Sequence, residues 1–269
     1  MPLFSQFKSN EHTVSKTETW RHSGAAYDLV SMFSHSCRPQ VSVYCDDSGT
    51  RRAYAHRDIA AGEEIADNYH EQCPSLSFER RKKYLKDYDC LCELCTPSPA
   101  GREISDTRRL MNRVLRNGLE DNPTVRATEY PITVERLRIR DDVFEELSAL
   151  PDREYNAWYT VHQFMLAILL DAEGLHIPLT IVSYARAAAN LVYMADNLGL
   201  KMLPPRLYEN VKMWTQKSEA IAQKTGYLVV YGHETRMHKQ WMSLREVLLA
   251  VVEKGEIPRL RRTVGVAGF

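Results

Sequence analysis

Two hydrophobic periodicities divide the chain. Up to about residue 95, apolar positions alternate with polar ones over short stretches, while beyond about residue 107 they recur every three or four residues. In QVSVYCDDSGTRRAYAHRDI, Val41 and Val43 alternate with polar neighbours, DDSG supplies turn residues and RRAYA returns. That pattern predicts a β-hairpin. Gly62 marks a second turn in AAGEEIADNY, and SFERRKKYLKDY shifts to helical spacing.

TPSPAGREISD, residues 96–106, holds two prolines and a glycine between periodic segments, and predicts a linker. Beyond it the spacing predicts helices throughout. Ser105 would cap one carrying Leu110, Met111, Val114 and Leu115, stopped by Gly118. A second would hold Val143, Phe144 and Leu147. A third would place Trp158, Val161, Met165, Ile168 and Leu169 on one face, ended by Gly174. A fourth spans about Ile181 to Leu198, with Ala187, Ala188 and Ala189 permitting close approach. A fifth follows Pro204 and Pro205 and runs to Gly226, and the last carries Met237, Trp241, Leu244, Val247 and Leu248. Short glycine or proline turns between helices predict an antiparallel stack. A tetratricopeptide-like arrangement and another helical array remain equal alternatives, because no tetratricopeptide consensus is visible.

The expected fold class is therefore α+β, with a β-rich first domain over residues 1–95, a linker over 96–106 and an all-α domain over 107–269. At 269 residues the chain has room for both. Its 44% hydrophobic and 26% charged residues are those of a soluble globular protein. A formal net charge of zero argues against a dedicated nucleic-acid binder. No apolar run reaches bilayer length, and MPLFSQFKSN lacks the apolar core of a signal peptide, so a nuclear or cytoplasmic protein is expected.

All six cysteines, Cys37, Cys45, Cys73, Cys90, Cys92 and Cys95, lie in the first domain. In a reducing compartment such crowding points to metal rather than disulfides. CLCELC brings Cys90, Cys92 and Cys95 within six residues, and three thiolates so close can face one tetrahedral zinc. Spacing alone leaves the fourth ligand open among Cys37, Cys45, Cys73 and the histidines. Other signals carry less. His233 and His238 are five apart, whereas a zinc-protease helix needs histidines four apart on one face. The basic runs at 79–83 and 259–262 are ordinarily solvated faces. Trp158 and Trp241 fit core packing.

SHSCRP (Ser34 to Pro39), RDIAAGEEI (Arg57 to Ile65), Tyr69, a helix and CLCELC follow one another in an order that resembles the SET domain of protein-lysine methyltransferases. The likeness spans roughly residues 8 to 95 and is nearest the SET-and-MYND branch, whose members continue into a helical domain. The resemblance implies a methyl transfer from S-adenosylmethionine to a lysine of a protein substrate. It implies a catalytic Tyr69, cofactor contacts from Ser34, His35 and Tyr88, and a more weakly aligned Asn10 in the same pocket. It names Cys37 as the fourth zinc ligand beside Cys90, Cys92 and Cys95, in what the family calls a post-SET segment. Cys45 and Cys73 match no ligand position and read as structural. Glu63 and Glu64 read as turn-holding residues, and the two motif segments would meet through a threaded loop.

Three departures bear on activity. None of the 12 glycines stands two positions from another, so the family's Gly-x-Gly cofactor turn is missing. Ser34 replaces an asparagine, and Gln40 replaces the motif's last asparagine. The missing turn leads us to expect a truncated or impaired enzyme. The alternative is a non-catalytic, zinc-stapled remnant whose helical domain binds a protein partner.

Overall fold

A computed structural model describes residues 11–13, 24–26, 29–45, 50–55, 57–69, 73, 76–85, 90–96, 98–120, 152–227 and 236–258. Asn10, Tyr88 and the helix expected around Val143, Phe144 and Leu147 lie outside the described residues.

Among the described residues, six short strands form three pairs. β1 (Glu11–Thr13) pairs antiparallel with β2 (Gly24–Ala26). β4 (Val41–Cys45) and β5 (Arg51–Ala55) form the expected hairpin, with Val43 opposite Ala53. β3 (Ser34–His35) pairs parallel with β6 (Ala66–Asp67), and the hairpin is part of the crossover between them. Two-residue strands are too short to hold register alone. Gln40 supplements them: its backbone N–H donates to Ala66 O (3.3 Å), and its Oε1 accepts from Ala66 N (3.0 Å). Gln40 Nε2 also donates to Glu64 O (2.8 Å), so one amide clamps the turn before β6. Glu63 holds the same turn, pairing with Arg57 and accepting from Ala60 N (3.1 Å). The Arg57 guanidinium, the Ala60 N–H and Gln40 together draw the Glu63 carboxyl down to about 2.

Helix α1 (Phe78–Tyr84) starts where Asp106 Oδ1 accepts from Phe78 N (2.7 Å). Asp106 lies on α2 (Pro99–Glu120), which corrects two sequence expectations. The stretch expected as a linker is helical from Pro99 onward, and Ser105 sits inside the helix rather than capping it. Ser98 takes the capping position, accepting from Gly101 N (3.3 Å). Pro99 costs nothing there, because a first-turn residue has no intrahelical partner for an N–H. Gly118 is likewise interior to α2.

Helices α3 (Asp152–Ala172), α4 (Pro178–Asn197), α5 (Pro205–Lys224) and α6 (Arg236–Lys254) follow the expected segments. The buried face of α3 differs from expectation. Tyr159, Gln163, Leu166, Ala167 and Leu170 face inward, while Val161 and Ile168 are exposed. WYTVHQFMLAILL is apolar nearly all round, so periodicity had no polar side against which to choose. Trp158 is half-buried and stacks on His162, with ring centroids 4.0 Å apart.

α4 packs against α3, α5 and α6, and its Ala185, Ala187 and Ala188 are fully enclosed. Small side chains let three neighbours approach one helix. Trp241 of α6 is buried with its Nε1 donating to Ser218 Oγ (3.0 Å), and that hydroxyl donates to Ile181 O (2.9 Å), linking α6, α5 and α4. Asp171 joins α3 to α4 and α5 by accepting from Tyr184 OH (3.2 Å) and Lys217 Nζ (3.1 Å). Its carboxyl is held below the ordinary range, chiefly by the hydrogen bond with His176. No described helix is long and apolar enough to cross a membrane.

Gly226, at φ 66° after α5, lies where an added Cβ would overlap the Tyr54 ring of β5. Gly226→Ala should therefore lower stability by roughly 2 kcal/mol or more, combining left-handed backbone cost with overpacking. Gly199→Ala is the control: its φ is 72° but nothing lies within 4 Å, so only the backbone cost applies. Equal losses in denaturant melts of the two variants would show that the Tyr54 contact contributes nothing.

Candidate metal centre and tyrosine site

The structure brings Cys37, Cys90, Cys92 and Cys95 together although 53 residues separate the first from the second. All four sulfurs lie within 4.8 Å of one another. Cys37 Sγ is 3.9 Å from Cys90 Sγ and 3.7 Å from Cys95 Sγ. Four sulfurs bound at about 2.3 Å to one tetrahedral ion sit about 3.8 Å apart, so the spacing suits a single metal with thiolate ligands. Among the described residues, this is the set that could hold a metal ion.

Local turns aim the ligands. Cys37 follows β3 in a bend where Ser36 Oγ accepts from Arg38 N (3.1 Å). The Cys-x2-Cys end is a turn in which Cys92 O accepts from Cys95 N (2.8 Å) and Thr96 N (3.0 Å). Cys37 is fully buried, and it forms a small core with Cys73, Leu85 and Leu94. In the bare cluster, hydrogen bonds with Cys37, then Cys92 and Cys95, draw the Cys90 thiol far below its ordinary range. Cys37 is pushed the opposite way by its hydrogen-bonded cysteine neighbours, Cys73 first. The four thiols thus differ in how readily they ionise, and a cation at the centre would let them all do so.

Two buried arginines flank the cluster. Arg81, fully enclosed, donates to Leu76 O (2.6 Å) and Leu94 O (3.4 Å). It comes from the basic run at 79–83, which the sequence reading placed in solvent; Lys82 and Lys83 are indeed exposed, but Arg81 points inward. Arg109, also fully enclosed, donates to Cys37 O (3.0 Å) and Cys73 O (2.7 Å). Its Nε pairs with Glu173 Oε2 (3.2 Å), a carboxylate with no exposure that also takes Ser105 Oγ (2.8 Å) and Arg108 (3.2 Å). Burial pushes the Arg109 pKa below its ordinary value. Arg38 adds a third link, donating from Nε to Glu173 O (2.6 Å) and pairing with Glu93 (3.0 Å). The corner after α3, closed by Gly174, is thereby seated on the cysteine cluster. No local sequence pattern marks Arg109 or Glu173, because they lie 64 residues apart.

Tyr69 stands beside the cluster. Parallel pairing of β3 and β6 carries Ser34 and His35 alongside Ala66 and Asp67, with Tyr69 two residues further on. Its phenol donates to Phe33 O, and its ring lies 5.2 Å from that of His35. At 41% exposure it is no core tyrosine. His35 Nδ1 accepts from Tyr69 N (3.1 Å), and its Nε2 lies 3.4 Å from Cys37 Sγ. Asp67, largely buried, is raised to about 6, mainly by desolvation. Cys73 sits in the cysteine core with no exposure.

Sequence comparison bears on these same elements. Residues 3–70 match the family model of the SET domain. The matched stretch contains the Ser34 to Pro39 segment, the hairpin, Gly62 to Ile65 and Tyr69, and stops before the three-cysteine segment. Over 95 residues the chain is 27% identical to the histone-lysine N-methyltransferase SET5 of Vanderwaltozyma polyspora. That alignment takes in 35% of this chain and 18% of the relative, so the chain matches less than a fifth of the length of that protein.

Proposed function

We propose that the SET part of this chain is a protein-lysine N-methyltransferase that uses S-adenosylmethionine, with Tyr69 at the reacting amine. The observation that carries this reading is the half-exposed Tyr69, held at its phenol by Phe33 O and at its amide by His35, inside the matched SET domain. S-adenosylmethionine supplies a methyl activated by its sulfonium. A neutral lysine amine attacks that carbon in line, the N–C bond forms as the S–C bond breaks, and the extra proton leaves to solvent. The chain's part is alignment and exclusion of water. Tyr69 would orient the amine by hydrogen bonding, and the Phe33 carbonyl beside it can steady a polarised methyl through weak C–H···O contacts.

We assign Ser34, His35 and Tyr88 to the cofactor side of this site. With both ring nitrogens of His35 engaged, its contribution there falls to main-chain atoms and the ring face. We assign zinc to Cys37, Cys90, Cys92 and Cys95, because an all-thiolate tetrahedral set is a structural zinc site and leaves no open position for catalysis. In this reading the cysteine turn is a post-SET segment and the chain a relative of the SET-and-MYND branch, acting on a lysine-bearing protein in nucleus or cytoplasm. Its helical domain would present a groove, in a tetratricopeptide-like or other stack, to a protein partner.

Calorimetric titration of S-adenosylmethionine into zinc-loaded protein tests the assignment. Micromolar binding, about 8 kcal/mol, would show that the pocket works despite the missing Gly-x-Gly turn. Tyr69→Phe should leave that affinity nearly unchanged and slow methyl transfer to a lysine peptide about 100-fold, through lost orientation of the amine. A second reading rests on a specific observation: these residues contain no Gly-x-Gly turn. A folded, metal-loaded sample without detectable cofactor binding would favour it, a non-catalytic module that works through its helical domain.

A further inference from the structure

The His35 side chain touches both the cysteine cluster and Tyr69. The geometry of its two ring nitrogens decides its protonation. Tyr69 N is a backbone amide, which can only donate, and it points at Nδ1 from 3.1 Å. Nδ1 must therefore present a lone pair. In a neutral imidazole the proton then resides on Nε2, and Nε2 faces Cys37 Sγ at 3.4 Å. A doubly protonated ring would set an N–H against the Tyr69 N–H.

From this we infer that His35 is a positioning residue joining the metal centre to Tyr69: its Nε2–H donates to the Cys37 thiolate while its Nδ1 fixes the Tyr69 backbone. The Cys37 end acts as an outer-shell hydrogen bond to a metal ligand, a class of contact that tunes affinity and ligand orientation. The Tyr69 end works with the ring contact at 5.2 Å and with the phenol's bond to Phe33 O, so three points hold one tyrosine. Metal occupancy orders Cys37, Cys37 orders the imidazole, and the imidazole orders the Tyr69 main chain. A site that carries no open coordination position thereby reaches the tyrosine without touching a substrate. That Tyr69 does chemistry rests on the methyltransferase reading above, but the His35 link itself does not.

Two variants separate the two bonds. Asparagine can place an oxygen where Nδ1 stands, and glutamine can place an N–H near Nε2. His35→Asn is expected to keep the Tyr69 amide bonded and to weaken metal binding about 10–100-fold. His35→Gln is expected to keep metal affinity within about threefold, the size of an ordinary change of context, and to release the Tyr69 amide. Affinity would be read on the full chain by competition of Zn2+, and of Co2+ with its thiolate charge-transfer absorption, against a chromophoric chelator. The Tyr69 amide would be read by its 15N–1H resonance and hydrogen exchange, with circular dichroism establishing that both variants fold. The opposite responses of the two variants are the expected result. Unchanged metal affinity in His35→Asn would overturn the proposal, and so would equal damage to both readouts in both variants. None of these readouts involves methyl transfer, so an inactive wild-type chain would sink the function assigned to Tyr69 while leaving the His35 link to stand or fall separately.

Discussion

Cys92→Ala will release the metal and abolish cooperative unfolding of the region built around residues 76–96. The physical case lies in how little else holds that region. Among the described residues its buried core is Cys37, Cys73, Leu85 and Leu94, two of them ligand-side sulfurs or their neighbours, and the 90–96 turn pairs with no described strand. An apolar core of that size contributes only a few kcal/mol, about 1.5–3 for each large side chain. Structural zinc in small cysteine sites contributes on the order of 10 kcal/mol, most of it through thiolates that must otherwise stay protonated or repel one another. The variant should lose bound zinc in elemental analysis and show increased hydrogen exchange at residues 76–85. Chelation of the wild-type protein should reproduce that pattern. A variant that retains one equivalent of zinc and an unaltered melt would overturn the assignment of the four cysteines.

The second large effect concerns Arg109. Arg109→Met leaves Glu173 without its buried guanidinium, and both side chains have no exposure. Removing one partner of a buried pair costs up to about 3–5 kcal/mol, because the remaining charge keeps its desolvation penalty and here retains only Arg108 and Ser105 as partners. For a chain of this size that corresponds to a fall in Tm of roughly 6–20 °C. The loss also removes the donors to Cys37 O and Cys73 O, so metal affinity should fall with stability. Arg109→Met combined with Glu173→Met should recover part of the loss, since the orphaned carboxylate is gone. Ser105 and Arg108 still face the site in that double variant, so recovery will be incomplete. Strict additivity of the two substitutions would show that the pair is not coupled.

Both effects arise at one joint. Arg38 and Arg109 both converge on Glu173 at the end of α3, and Arg109 reaches the carbonyl of a candidate metal ligand. The bare residues there carry two enclosed cations, Arg81 and Arg109, beside four thiols. A divalent ion with four thiolates carries a net charge of minus two, and Arg81 and Arg109, although each also pairs with a carboxylate, place positive charge beside it. That complementarity gives a reason for an enclosed Arg81 in a run whose lysines are exposed. The links from Arg38 and Arg109 to Glu173 seat the end of α3 on the segment that carries Cys37.

Much of this molecule was legible in local pattern. Alternation placed the β4–β5 hairpin, because each strand side faces a different environment and the DDSG turn residues tolerate the reversal. Pro205 and Gly226 bounded α5, since proline fits a first turn and glycine enters the left-handed region at its end. The three clustered cysteines pointed to a site that could hold a metal, and the structure gathers them with Cys37. Local pattern misled at the 96–106 stretch, at Ser105 and Gly118, at Arg81 and on the buried face of α3. Ser98, not Ser105, starts α2, because a capping oxygen is useful at either place until the neighbouring chain is present, and Ser105 is claimed by Glu173. On α3, an all-round apolar helix had no periodic signal for its buried face.

What the sequence determined by itself was element type, the cysteine cluster and the motif order shared with SET domains, because these follow from contacts a few residues apart or from matched patterns. What only the tertiary structure decided was which distant groups meet: the parallel β3–β6 pair, Cys37 Sγ within 3.7 Å of Cys95 Sγ, the Arg109–Glu173 pair, and His35 between the cluster and Tyr69. Such meetings depend on how crossovers and helix packing close long stretches of chain, and no spacing within either segment encodes that closure.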